Sequence, residues 1–297
     1  MTTATHSSAF ALAWQKLWHH PITAAFVAAS LFVFVWLGFA VAMVQWDTGL
    51  SPAVDMVVRE MIPVLACVTV YKLVITRLGR FRKDDLGLRG VLADTAIGLG
   101  TGAALISAVV GIAMLAGVYG IAGWGSMVDA LYIVVVAGIS AAVIEEILLR
   151  GILFRWLEEA GGSFLALILT SALVGAIQAF SPNAAPLFIA SQAVVFGLLM
   201  GGAYMLTRSL WLPIGLHAGW NVTLALGWGE PVSGIQYEGL VISEYGGSDW
   251  LSGGIMGLGS SAIALGIGLL FAVWVTRKAA AVGHWLPFGW QRAVCEP

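Results

Sequence analysis

The chain has 297 residues, 60% hydrophobic and only 10% charged, with a mean hydropathy of +0.93. Soluble domains carry roughly a quarter charged residues, so a water-facing surface cannot be built from this composition, and a lipid bilayer is the solvent it fits. The formal charge of −2 excludes a phosphate-backbone binder, and Cys67 and Cys295 are too few for a disulfide framework or a thiolate metal site.

The first twenty residues, ending in His19 and His20, lack the basic stretch, apolar stretch and small-residue cleavage site of a secretory signal, so the first apolar run is expected to remain as a span. Crossing the hydrocarbon takes about 20 mainly apolar residues. Eight segments qualify: approximately 22–46, 54–76, 91–118, 128–158, 163–180, 186–207, 210–228 and 252–276. Between Ser163 and Thr207 there is no Asp, Glu, Lys or Arg, and the spans there are separated by Gly161-Gly162 and Ser181-Pro182-Asn183. The expected fold is all-α, a polytopic helical membrane protein of about eight transmembrane helices.

Basic residues give the orientation. The segment 77–89 carries Arg77, Arg80, Arg82, Lys83 and Arg89, and so is expected in the cytoplasm. Lys16, Arg150, Arg155, Arg208, Arg277, Lys278 and Arg292 then fall towards the same side, with both termini cytoplasmic, and Arg59 stands near the other face. The loop 229–250, with Glu230, Glu238, Glu244 and Asp249 and no Lys or Arg, falls outside. The expected location is a cell membrane of the bacterial inner-membrane type. Gly98, Gly100 and Gly102, and Gly197, Gly201 and Gly202, are expected to let helix backbones approach closely in lipid.

An ionisable side chain within a span is costly and marks function. Glu145 and Glu146 are adjacent, so they point about 100° apart on their helix. Glu146 and Arg150 are four residues apart and can pair along it. Glu145 is left without a fixed cation, as a general base that must gain and lose a proton would be. His217 and Asn221, also four apart, share one face of the seventh helix. A histidine can donate to a developing oxyanion or ligate a metal, and the asparagine amide can orient it or add a second donor. The competing reading is that His217 and Asn221 only join helix to helix. Glu145 lies 16 residues before Gly161 and Gln178 16 residues after Gly162. In an antiparallel hairpin the two are level, about 24 Å from the turn. His217 is level with them if that hairpin projects about 12 Å into the cytosol, which puts the cluster in the cytoplasmic leaflet.

These residues resemble the CPBP family, which includes the CAAX prenyl endopeptidases and the bacterial relatives called Abi proteins. The family's Glu-Glu-x-x-x-Arg motif is intact at Glu145-Glu146-Ile-Leu-Leu-Arg150, and its His-x-x-x-Asn motif at His217-Ala-Gly-Trp-Asn221. Asp85-Leu-Gly-Leu-Arg89 is similar to the short segment before the family's core helices. The resemblance covers roughly residues 85–228, and divides the chain into 1–84 (an N-terminal segment and two spans), a protease-like core at 85–228, and 229–297 (external loop, last span and tail). The family's Phe-x-x-x-His motif is replaced by Val174-Gly-Ala-Ile-Gln178. Glutamine is neither acid nor base and a poor metal ligand beside imidazole, but it still donates a hydrogen bond.

The resemblance implies a membrane endopeptidase in which Glu145 activates water for attack on a peptide carbonyl near the cytoplasmic face. His217 and Asn221 would stabilise the oxyanion, and Glu146 and Arg150 would fix the geometry. No cofactor is expected; the alternative is a divalent metal such as zinc held by Glu145 and His217 with water. The partners implied are membrane lipid and a peptide or membrane-protein substrate, with no nucleic acid, and the oligomeric state is left open. With Gln178 in place of histidine, the alternative is a pseudoprotease that binds a membrane peptide or partner protein without cutting it. A small transporter ranks last, because the sequence shows no inverted repeat.

Of the remaining polar residues, Lys72 is expected to snorkel and Asp94 to sit at a helix start. Trp46, Trp124, Trp211 and Trp228 read as interfacial belt residues. The aromatic tail 283–290 reads as a surface-lying segment.

Overall fold

The computed structural model describes residues 18–79 and 83–288. Lys16, Arg80, Arg82, Trp290, Arg292 and Cys295, and the N-terminal residues read for a cleavage signal, lie outside the described residues.

A backbone in hydrocarbon must satisfy its own polar groups, so these apolar runs become helices. The long helices are α1 (Pro21–Gln45), α2 (Pro52–Ile75) and α3 (Val91–Leu115), then α4 (130–161) and α5 (163–178), α6 (186–207), α7 (211–227) and α8 (Ala262–Ala281). Proline stands in the first turn of α1, α2 and α6, where its missing N–H costs nothing. Five helices are long and apolar enough to cross a membrane: Pro21–Gln45, Val91–Leu115, Ala130–Gln178, Pro186–Thr207 and Ala262–Ala281. The chain is an all-α polytopic membrane protein. The third of these long runs contains both the fourth and the fifth expected spans, divided at Gly162 (φ 86, ψ 170). A side chain at Gly162 would come within 2.6 Å of the Pro287 carbonyl, so conformation and space both require glycine there.

The last span begins ten residues later than the hydropathy reading placed it. Gly253, Gly254 and Gly257 all have positive φ and hold 249–260 as short turns. Ser261 then caps α8 by accepting from the Ala264 N–H at 3.1 Å. An element the sequence reading lacked is an antiparallel strand pair, β1 (Tyr119–Trp124) with β2 (Val241–Tyr245), running from Tyr119↔Tyr245 to Trp124↔Val241 with a bulge between Ile121 and Gly123. With 228–260 it forms a cap at the end of the bundle that carries the acidic loop.

Glycine lets α3 and α7 approach at backbone distance: a Cβ at Gly98 would meet the Leu212 carbonyl at 2.4 Å, and one at Gly215 the Thr95 carbonyl at 2.4 Å. This is the close packing that small residues permit in lipid. Gly197, Gly201 and Gly202 are also crowded, by Ser171, Leu167 and Val275, whereas Gly100 faces open space and does not serve this role.

At the opposite end, Asp85 is the knot. Its carboxylate takes Arg155 Nη1 at 2.8 Å and the Tyr204 hydroxyl at 2.8 Å, and its backbone carbonyl accepts the Leu210 N–H at 2.9 Å. Arg208 pairs with Glu158, whose carboxylate also accepts Ser163 Oγ at 2.5 Å. Lys72 pairs with Asp84 at 2.5 Å. The described part of the tail is docked too, since Leu286 and Ser163 exchange hydrogen bonds of 2.8 and 3.0 Å, and His284 Nδ1 meets the Met205 carbonyl at 2.8 Å.

Candidate active site

The site hangs on α4. Its helix widens into π-turns over Ile133–Ser140 and again over Ile147–Phe154, leaving a six-residue α stretch, Ala141–Glu146, that ends in the glutamate pair. Widened turns of this kind concentrate at functional sites, and α6 and α7 carry them beside the site too, over Ala193–Leu199 and Thr223–Gly227.

The two glutamates diverge as their helical positions require. Glu146 is fully buried; Oε2 is 2.9 Å from Arg150 Nη1 and Oε1 is 3.0 Å from His217 Nδ1. Arg150, equally buried, also donates to the Phe196 carbonyl and to that of Gly197, the latter at 3.1 Å. Glu146 thus bridges two basic side chains, and the sequence reading supplied only the first. Because a carboxylate accepts at Nδ1, that ring nitrogen carries the proton, and Nε2 is the one left for the cavity. The Phe196 ring, 4.7 Å away centroid to centroid, backs the imidazole.

Glu145 points the other way. Its side chain is open to the cavities and makes no hydrogen bond among the described residues. Gln178 shares both cavities with it, as the count from the Gly161-Gly162 turn required. Gln178 Oε1 accepts from Ser181 Oγ at 3.0 Å, which leaves its Nε2 donor free. Asn221 does not touch His217 by any hydrogen bond among the described residues. It donates from Nδ2 to the Ala137 carbonyl on α4 at 2.9 Å, while Oδ1 is buried with no partner. So the asparagine ties α7 to the π-turn of α4, and Glu146 holds the histidine.

A cavity of about 230 Å³ collects Glu145, Gln178, His217 and Asn221. Sequence reasoning missed Gln192, which lines it from α6 with only 4% of its surface exposed and no hydrogen bond among the described residues. The search for ionisable groups passed it over. The signal available was an amide in a run with no charge. The roof was missed as well. Pro231, Ser233, Tyr237 and Ser260 close the cavity from the cap.

Glu145 is ten residues, or about 15 Å, from Arg155 in the basic-face knot, and residues of the acidic cap line the cavity from the other side. No group of three His, Cys, Asp or Glu among the described residues is arranged to hold a metal ion.

The two glutamates, the histidine and the asparagine gathered at this cavity are residues of the motifs on which the family resemblance rests. Residues 127–223 match the family model described as type II CAAX prenyl endopeptidase, Rce1-like. That stretch, about a third of the chain, is similar to this family. The matched stretch holds all six residues singled out from the sequence, together with Gln192 and Phe196. The cap and the helices α1, α2, α3 and α8 lie outside it. No curated protein and no solved structure gives a match. The Rce1-like match supports a membrane endopeptidase type of function for the core.

Proposed function

We propose that the protein is an intramembrane endopeptidase in which Glu145 activates water against a peptide carbonyl. The observation that carries this reading is the unpaired Glu145 carboxylate, facing the same cavity as a histidine whose other ring nitrogen is pinned by Glu146. Glu145 removes a proton as the water oxygen bonds to the carbonyl carbon. Negative charge gathers on the carbonyl oxygen, where donors in a low-dielectric site act most strongly. His217 Nε2, when it carries a proton, and Gln178 Nε2 are the donors at hand. As the C–N bond breaks, the proton held by Glu145 passes to the leaving amine. Glu146 and Arg150 orient the site without touching the substrate.

The replacement of histidine by Gln178 favours one second reading, a pseudoprotease of the same fold that binds the peptide uncut. Purified protein in lipid discs decides between them. Cleavage of a membrane-anchored peptide library by the wild type, lost in Glu145→Ala, is the expected result, and equal product from both ends the enzymatic reading. Activity that arises only in Gln178→His assigns the natural protein to the binders.

A further inference from the structure

Two chambers meet at Glu145. One is the polar cavity under the cap. The other, about 640 Å³, lies between α1 and α2 on one side and α4 and α5 on the other, and is mainly apolar, with Trp36, Pro63, Leu148 and Ile177 among its walls. Most walls come from the acidic-face halves of their helices, 32–44 of α1, 59–63 of α2, 136–149 of α4 and 174–178 of α5, with Phe32, Leu148 and Leu149 just past the midpoints. Both chambers therefore lead from the centre of the bundle to the face carrying Asp129, Glu238, Glu244 and Asp249, and neither is lined by the basic-face knot.

The size limits the occupant. A helix is about 10–12 Å across, so the larger chamber holds roughly one turn of helix or a short extended run, and not a second span.

The charge at its mouth limits it further. Arg59 and Glu60 both line the chamber. Arg59 is committed, paired with Asp55 at 2.5 Å and donating to the Met43 and Trp46 carbonyls at the end of α1. Glu60 is half-buried and makes no ion pair or hydrogen bond among the described residues. A carboxylate between apolar walls is incomplete without a cation. Tyr71 of α2 packs on Gly151 of α4, and the two helices run the same way. Glu60 is therefore level with about residue 140, some 7 Å nearer the acidic face than Glu145. An extended chain covers that in about two residues.

The polar chamber suits the rest of a peptide, since Asn221 Oδ1 and the Gln192 amide are buried there with no hydrogen bond among the described residues, an acceptor and a donor group open to a backbone.

We propose that the substrate is a membrane-inserted peptide taken from the acidic face, with a short apolar run in the larger chamber, and a lysine or arginine within about two or three residues of the cut bond set against Glu60. The proposal rests on the peptidase reading of the Glu145 site and adds the face of access and the class of substrate.

The test uses the full-length protein in lipid discs with synthetic peptides. Each carries a photoreactive benzoyl-phenylalanine in a short apolar run, flanked either by lysine or by glutamate. Covalent capture and cleavage are read in parallel. Capture of the lysine peptide is expected to exceed that of the glutamate peptide by about tenfold, the ratio that 1.4 kcal/mol produces. Glu60→Gln should erase the preference and Glu60→Lys reverse it, with adducts mapping to 36–44 or 231–237. Equal capture by the wild type, a preference unchanged in both Glu60 variants, or adducts at 83–89 or 208–210 overturns the proposal. So does a chamber filled by co-purified lipid that neither peptide displaces. Charge-selective capture without cleavage upholds the proposal and ends the peptidase reading; cleavage without charge preference does the reverse.

Discussion

Two buried clusters of charge brace this bundle, and they differ in one respect. At the basic face, Asp85 is paired with Arg155 and Tyr204, and Glu158 with Arg208 and Ser163, so each of these carboxylates is closed by protein groups. In the middle, Glu146 is closed just as tightly by Arg150 and His217, but its neighbour Glu145 is given nothing except a cavity. The basic-face cluster joins α4, α6 and α7 to the 83–90 segment, while the central cluster uses the same kind of pairing beside one acid that is left unpaired. The contrast separates carboxylates closed by protein groups from one open to a cavity.

The largest effect should come from removing the free acid. Glu145→Gln is expected to reduce peptide cleavage by about 10³-fold, within the usual range for losing a general base. Stability should stay within about 0.5 kcal/mol, because no protein group loses a partner. Steady-state cleavage beside unfolding in detergent measures both; a large loss of stability would mean that Glu145 belongs with the structural acids. Asp85→Ala should give the opposite profile. It leaves Arg155 buried without its carboxylate, which costs roughly 3–5 kcal/mol, while cleavage per folded molecule is retained. Loss of cleavage at unchanged stability would dissolve the distinction between the clusters.

Much of this was legible in the sequence, for reasons that are local. Lipid imposes helices on apolar runs, and a four-residue spacing pairs Glu146 with Arg150 whatever surrounds them. Counting from Gly161-Gly162 set Gln178 level with Glu145, because a hairpin has only one register. What stayed hidden depends on packing between distant segments. Glu146 and His217 are 71 positions apart, and the acid that holds the histidine could not be told from Asn221, its neighbour one turn along. Asn221 instead finds the carbonyl of Ala137, inside the π-turn 133–140, where backbone bonding departs from the α pattern that sequence reasoning assumes. The late start of α8 depends on the positive φ of three glycines in an apolar stretch that hydropathy alone joins to the span. The direction of the cavity was hidden because 229–260 folds back as a roof, with β2 paired to a strand more than a hundred residues earlier.

That roof has its own carboxylate, and the smallest effect is expected there. Glu230 is fully buried beside Pro231, accepts the Leu258 N–H at 2.8 Å, and is pushed up to about 7 by burial, against the pull of its bonds from Leu258 and Tyr245. The folded group therefore stays protonated where an unfolded glutamate, near 4.5, has already ionised. Its contribution is complete below the unfolded value and fades as the pH rises through about 7, so cap order should decline across that window. Glu230→Gln keeps a neutral acceptor at every pH and should flatten the profile. Protection of the Leu258 amide against hydrogen exchange, corrected for the intrinsic rate at each pH, reads this directly. Protection that falls between about pH 4.5 and 7 in the wild type but holds steady in the variant would make Glu230 a third kind of buried acid, neither paired like Asp85 nor free like Glu145 but kept neutral by its surroundings. Matching profiles in the two proteins would return it to the structural group.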